Sequence, residues 1–152
     1  MREPAELVTA FREAGRKVTP QREAIFRILH GNPAHPTAES VFVAAQSQMP
    51  TISLKTVYTT LNELVEMGEV QAVEVGTGAA RFDPDCDPHH HLVCARCGAV
   101  RDLFADFDHV VVPVGMEQGF EVGRAEVVFR GLCENCKANE TPATAGRSTG
   151  GD

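Results

Sequence analysis

The chain has 152 residues, 14 Lys+Arg against 21 Asp+Glu for a formal charge of -7, with 43% hydrophobic and 23% charged residues. That length holds one compact domain or two small ones, and the composition excludes collagen-like repeats, wholesale disorder and a disulfide-dense miniprotein. The longest apolar runs, such as Val110 to Val114 broken by Pro113, fall short of the roughly 18 residues of a membrane span, and no apolar signal core follows Met1-Arg2-Glu3-Pro4, so a cytoplasmic protein is expected.

In chain order, the first predicted element is a weakly capped helix from about Pro4 to Ala14, ended by Gly15. Thr19 and Pro20 open a second helix, in which Ile25, Ile28 and Leu29 form an i, i+3, i+4 stripe before Gly31. Pro36-Thr37 opens a third, carrying Val41, Phe42 and Ala45. Ser53 caps a fourth, whose Leu54, Val57, Leu61, Leu64 and Val65 line one face until Gly68. Val70 to Val75, Gly76-Thr77-Gly78 and Ala79 to Phe82 read as a β-hairpin, so that helices followed by a hairpin spell a winged helix-turn-helix. On the fourth helix Lys55, Tyr58, Thr59 and Asn62 form a polar stripe. With Lys17 and Thr56 they are the candidate DNA contacts. The other reading of that stripe is an ordinary solvated helix face. Arg12, Arg16, Lys17, Arg22 and Arg27 against Glu13 and Glu23 add a local basic region.

The second half differs in chemistry. Residues 1–82 hold eight basic and nine acidic side chains, whereas residues 83–152 hold six and twelve, together with all five cysteines. Cys94-Ala95-Arg96-Cys97 and Cys133-Glu134-Asn135-Cys136 each place two thiolates within reach of one ion, and the two pairs complete a tetrahedral shell for structural Zn²⁺. Disulfides and a thioredoxin-like redox pair are the rival readings, opposed by the expected compartment and by the lack of a βαβ context. The long chain between the pairs must have structure of its own, with strand-like material at Val110 to Val114 and Val122 to Leu132. His89, His90 and His91 follow Asp83, Asp85 and Asp87; in a strand His89 and His91 share a face, and with Asp83 and Asp102 near they suit Fe²⁺, Mn²⁺ or Zn²⁺, bound more weakly than by the thiolates. Cys86 is left over, and its plain reading is a small hydrophobe or an incidental thiol. The residues beyond Cys136, 137–152, read as a flexible tail.

Taken together, Arg16-Lys17-Val18-Thr19-Pro20-Gln21-Arg22, Ala34-His35-Pro36-Thr37-Ala38, Thr56-Val57-Tyr58, Arg81-Phe82-Asp83, His89-His90-His91-Leu92-Val93-Cys94 and Gly131-Leu132-Cys133 resemble the ferric uptake regulator family, over about Leu7 to Cys136. The resemblance implies an α+β protein: a winged-helix DNA-binding domain over residues 1–82, and an α/β dimerisation domain over 83–136 with structural zinc on Cys94, Cys97, Cys133 and Cys136. It further implies a cytoplasmic homodimeric repressor of operator DNA, not an enzyme, with regulatory Fe²⁺ or Mn²⁺ on His35, Asp83, His89, His91 and Asp102. His35 enters this set through the resemblance alone. Asp83 and Asp102 resemble the peroxide-sensing branch, in which iron reacts with H₂O₂ and a ligand histidine, here His35 or His89, is oxidised. An iron, manganese or zinc uptake regulator of the same family is the alternative. A further metal site of some members looks degraded, with Pro88, His90, His109 and Ala125 near its positions.

Two other classes compete. A zinc nucleobase deaminase needs a glutamate after its ligand histidine and a proline before its cysteine pair; here His90 follows His89, and Val93 and Leu132 precede the pairs. A zinc-stabilised interaction module accounts for the cysteines but leaves the histidines and aspartates idle. The acids of the second half cluster where a cation would sit, so the charge of -7 is partly a metal-binding feature and predicts poor DNA binding without metal.

Overall fold

The computed structural model describes residues 1–74, 76 and 78–139. Four helices come first: α1 (Pro4–Glu13), α2 (Pro20–Leu29), α3 (Ala38–Gln48) and α4 (Leu54–Glu66). Their starts follow the side chains that satisfy free amides at a helix N-terminus. Thr19 accepts from the Arg22 amide, Thr37 from Ser40 and Ser53 from Thr56, while the Glu6 carboxylate takes the Glu3 amide at the start of α1. α1 is thus better capped than its sequence implied. Gly31 and Gly68, at φ 63° and 69°, take the left-handed turn that ends α2 and α4. The apolar stripes of all four helices meet in one core containing Leu7, Phe11, Ile25, Phe26, Leu29, Val41, Val57, Leu61 and Leu64. Phe11 and Phe26 pack there with tilted rings, their centroids 4.8 Å apart.

Next comes an antiparallel hairpin, β1 (Gln71–Val73) with β2 (Arg81–Asp83); β1 is shorter at both ends than the predicted Val70 to Val75, whereas β2 starts later than the predicted Ala79 and ends one residue beyond Phe82. β2 runs through the boundary expected between residues 82 and 83. It is also pinned to the start of α3: Thr37 bridges Arg81, and the Phe82 amide donates to the Pro36 carbonyl at 3.0 Å.

The rest is built on a three-stranded sheet of order β4-β3-β5, formed by β3 (His90–Cys94), β4 (Val100–Leu103) and β5 (Val128–Gly131), with a short helix α5 (Glu134–Ala138) after it. β3 and β4 are antiparallel across the tight Cys94–Cys97 turn, whereas β3 and β5 are parallel. A parallel pair needs a long crossover, and this is what the 35 residues between Cys97 and Cys133 provide. The crossover departs from expectation. Val110 to Val114 is not a strand, being broken by Pro113 with turns on either side, and only Val128–Gly131 of the predicted 122–132 segment pairs. Lys137 and Ala138, assigned to the tail, close α5 with Asn139 as its C-cap, and residues 140–152 of that tail lie outside the described residues. No described helix is long and apolar enough to cross a membrane.

Candidate metal centres

The parallel register explains the cysteines. Cys94 pairs with Gly131, so β3 and β5 end at the same edge of the sheet, and the two C-x-x-C turns that follow them converge. Cys94, Cys97, Cys133 and Cys136 each offer a sulfur within 4.8 Å of the others. None is in a disulfide: Cys97 and Cys133 Sγ stand 3.7 Å apart, far beyond a bonded S–S distance of about 2.05 Å. Backbone amides of Cys97 and Cys133 stabilise the Cys94 thiolate and pull its pKa down to about 5, while hydrogen bonding to Cys133 pushes Cys136 up to about 12. Four sulfurs cannot all ionise this close together without a cation among them. The donor set and closure fit structural Zn²⁺.

The second cluster forms where the two halves touch. His91 and Asp102 are cross-strand partners on β3 and β4, and His89, two residues before His91, lies on the same side. Asp83 ends β2. The bonds between β2 and the start of α3 carry His35 to it, at a backbone φ of 46° that is strained for a residue with a side chain. One atom from each of His35, Asp83, His89, His91 and Asp102 lies within 4.8 Å of all the others. His35, Asp83, His89 and His91 are buried, and the Asp102 side chain is 20% exposed.

Whether these groups suit a cation can be read from their hydrogen bonds. The Nδ1 atom of His35 faces the Pro33 carbonyl at 3.1 Å, that of His89 the Asp87 carbonyl at 2.7 Å, and that of His91 the Glu126 carboxylate at 3.0 Å. Each partner is an acceptor, so each Nδ1 carries a proton, and in the neutral ring Nε2 presents a lone pair. All three Nε2 atoms turn inward. Those of His89 and His91 are 3.0 Å apart, a repulsive approach of lone pairs unless a positive charge lies between them. His35 Nε2 and Asp102 Oδ1 approach to 2.6 Å, yet both are buried without an acceptable hydrogen bond. Asp83 Oδ2 is 2.9 Å from His89 Nε2 and 3.5 Å from His91 Nε2. Three imidazoles and two carboxylates converging on one point fit Fe²⁺ or Mn²⁺.

The electrostatics agree. Burial opposes charge on His35, but the Asp83 and Asp102 carboxylates, 3.4 and 2.6 Å from its Nε2, outweigh it and raise its pKa above 6.5. Burial likewise works against the Asp83 carboxylate, yet the nearby His35 ring and the hydrogen bonds from the Asp85 amide and Gln71 hold it well below the usual carboxylate range. The pocket therefore favours positive charge, as a proton or as a metal ion.

Other histidines and cysteines lie outside the two clusters. His90 points away, accepts the Val127 amide at 3.2 Å and packs on Phe107. His109 is exposed, and neither His90, His109 nor Cys86 belongs to a metal-holding group among the described residues. Glu126 and Gln71, which bond ligand candidates directly, escaped sequence reasoning because nothing in their spacing marks a contact made across 35 and 12 residues.

On α4, Lys55, Tyr58, Thr59 and Asn62 face solvent as the stripe required, and Lys17 is exposed as well. Thr56 is half-buried and spends its amide and hydroxyl on the Ser53 cap. Tyr58 donates to the Glu39 carboxylate at 2.7 Å. The basic region is smaller than its composition suggested: Arg22 pairs with Glu63, Arg16 with Glu63 and Glu66, and Arg27 with Glu23.

Comparison with known proteins adds ancestry to this geometry. A model of the ferric uptake regulator family matches residues 13–130. The peroxide-responsive repressor PerR of Staphylococcus epidermidis is 32% identical over 133 residues, covering 87% of this chain and 89% of that protein. The Helicobacter pylori ferric uptake regulator, described as having three functional metal binding sites, shares the fold with a TM-score of 0.71 at 20% identity, over 90% of this chain and 93% of that one. The ferric uptake regulator of Pseudomonas aeruginosa, solved with manganese, gives a TM-score of 0.61 at 30% identity, over 88% and 99% of the two chains.

Proposed function

The chain belongs to the ferric uptake regulator family, and on that premise we propose that it is a homodimeric repressor that binds operator DNA when a divalent cation occupies the His35, Asp83, His89, His91 and Asp102 cluster, and releases it on exposure to peroxide. The observation that carries this reading is the convergence of three inward-facing Nε2 atoms and two carboxylates drawn from both halves of the chain. A cation bound there clamps β2 and the start of α3 to β3 and β4, and so fixes the orientation of α4.

Each residue has a part. Cys94, Cys97, Cys133 and Cys136 hold structural Zn²⁺ and lock the ends of β3 and β5 together. Pro33 and Asp87 carbonyls keep His35 and His89 as Nε2 donors. Asp102, the least buried of the five, leaves one side of the cluster open to a small oxidant. His35, Asp83, His89, His91 and Asp102 would hold the ion; Fe²⁺ bound there would supply one-electron reduction of H₂O₂ beside the imidazoles of His35 and His89, whereas Mn²⁺ would supply the charge without that reaction. Loss of a nitrogen donor from an oxidised ring loosens the clamp. Lys17, Lys55, Tyr58, Thr59 and Asn62, with Thr56 at the start of α4, face the operator. Dimerisation covers the apolar side chains that the crossover leaves exposed, among them Val111, Val114, Met116 and Phe120.

The test is operator binding with Fe²⁺ or Mn²⁺, before and after dilute H₂O₂. Loss of binding in the iron form only, with one oxygen gained on the peptide containing His35 or His89, is the expected result. Binding that persists in both forms overturns the peroxide response and leaves an iron, manganese or zinc uptake regulator of the same family.

A further inference from the structure

We infer that Glu126 is a positioning residue for the regulatory metal, backing His91 and joining it to Asp83 through Arg124 and Gln71. This rests on the reading of the five-residue cluster as a metal site, and adds side chains that do not themselves touch the ion.

The three imidazoles differ in what stands behind them. His35 and His89 have backbone carbonyls at Nδ1, whereas His91 has the Glu126 carboxylate, with Oε1 at 3.0 Å. An anionic acceptor makes a stronger hydrogen bond than a carbonyl and raises the donor strength of the opposite nitrogen. His91 is therefore the strongest of the three nitrogen donors. The placement follows from the parallel sheet: the His91 amide donates to the Val127 carbonyl at 3.0 Å, which sets the preceding residue, Glu126, beside the ring.

Glu126 is held in turn. Its Oε2 lies 3.6 Å from Arg124 Nη2, which also donates to Gln71 Oε1 at 3.3 Å. Gln71, on β1, uses its amide nitrogen to donate to Asp83 Oδ2 at 3.0 Å and to the Asp85 carbonyl at 2.8 Å. The Asp85 amide donates to Asp83 Oδ1 at 2.8 Å. Both oxygens of Asp83 are thus oriented, with Oδ2 directed to the three imidazoles. The path His91, Glu126, Arg124, Gln71, Asp83 closes a loop outside the cluster between β3 and the hairpin. It pre-orients one ligand from each half, and the Arg124 charge keeps Glu126 from adding uncompensated repulsion to an already acidic site. With a 32% exposed side chain, Glu126 is replaceable without opening a core.

The experiment is a Mn²⁺ competition titration of the full-length, zinc-containing protein as wild type, Glu126→Gln, Glu126→Asp and Arg124→Ala. Glu126→Gln keeps the shape and removes the charge, and is expected to weaken Mn²⁺ binding by about 10- to 100-fold, the usual effect of losing an outer partner of a ligand histidine. Glu126→Asp should recover part of that loss, and Arg124→Ala should weaken binding less than Glu126→Gln. Zinc content and metal-free melting temperature should stay at wild-type values, which separates positioning from a general role in folding. The visible spectrum of Co²⁺ at the same site should shift in Glu126→Gln, reporting the weaker His91 donor. Equal Mn²⁺ affinity in all four proteins overturns the inference. A wild type that takes up no Mn²⁺ overturns instead the site reading on which it rests.

Discussion

Replacing His89 by alanine tests the regulatory centre most directly. Its imidazole is fully buried, with Nε2 at 2.9 Å from Asp83 Oδ2, 3.1 Å from Asp102 Oδ1 and 3.0 Å from His91 Nε2. Its loss removes a nitrogen donor from the centre of the cluster. At Mn²⁺ about 100-fold above its dissociation constant, the wild-type folded state gains about 2.7 kcal/mol from binding. Loss of an outer partner of a ligand weakens metal binding by about 10- to 100-fold, and loss of the ligand itself belongs at or beyond the upper end. At the same Mn²⁺ concentration the variant then gains about 0.4 kcal/mol or less. For a chain of this length each kcal/mol moves the melting temperature by about 2–4 °C, so Mn²⁺ should raise the wild type by about 5–11 °C and the variant by about 1–2 °C. The ring also packs on Phe104 at 5.3 Å, but that loss affects both metal-free and metal-loaded variant and cancels in the difference. The assay is thermal unfolding with and without Mn²⁺, beside metal analysis of the purified proteins. One zinc per chain should survive the substitution. A variant whose Mn²⁺ shift equals that of the wild type refutes the assignment of His89 to the site.

Other consequences can be checked with similar means. Because the folded-state pKa of His35 lies above 6.5, its contribution to metal-free stability is present below that value and lost as pH rises through the raised one; Mn²⁺ must displace the same proton. The Mn²⁺-induced gain in melting temperature should therefore grow from about pH 6 to 8, and a gain that stays flat over that range contradicts the His35 ligand. The depressed pKa of Asp83 keeps its carboxylate charged throughout, with its contribution lost only as pH falls from its ordinary value near 3.8 toward the lower folded one. Cys133→Ser should release zinc and free the end of β5, costing dimerisation and, through β3, Mn²⁺ binding as well; a zinc-loaded dimeric variant in sedimentation and metal analysis speaks against the four-thiolate site. Lys55→Ala should weaken operator binding across sequences and lower the slope of log affinity against log salt by about 0.9, the value for one lost phosphate contact. An unchanged slope removes Lys55 from the interface. Glu39→Ala frees the Tyr58 hydroxyl and removes a carboxylate beside it, so operator affinity should rise, as measured by fluorescence anisotropy, and a fall indicates that Glu39 instead holds Tyr58 in its binding pose.

The sequence by itself determined what is local. Helix starts were legible because Thr19, Thr37 and Ser53 cap amides three residues away, and helix faces because apolar side chains recur at the helical period. The four zinc-type cysteines were legible because each pair is local and thiolate pairs at that spacing have few other uses. The regulatory set was legible only in part: His89 and His91 from their alternation, Asp83 and Asp102 from nearness, and His35 through family resemblance alone. Tertiary structure decided the rest. The parallel pairing of β3 with β5 brings Glu126 to His91, and the contact of β2 with the start of α3 brings His35 to Asp83. It also consumed charge that composition had assigned to DNA, since Arg16 and Arg22 bind Glu63 and Glu66 across the helices. The reason is physical. Caps and periodic faces are set by backbone geometry within a few residues, whereas a carboxylate behind an imidazole 35 residues away depends on a register that exists only once the sheet has formed.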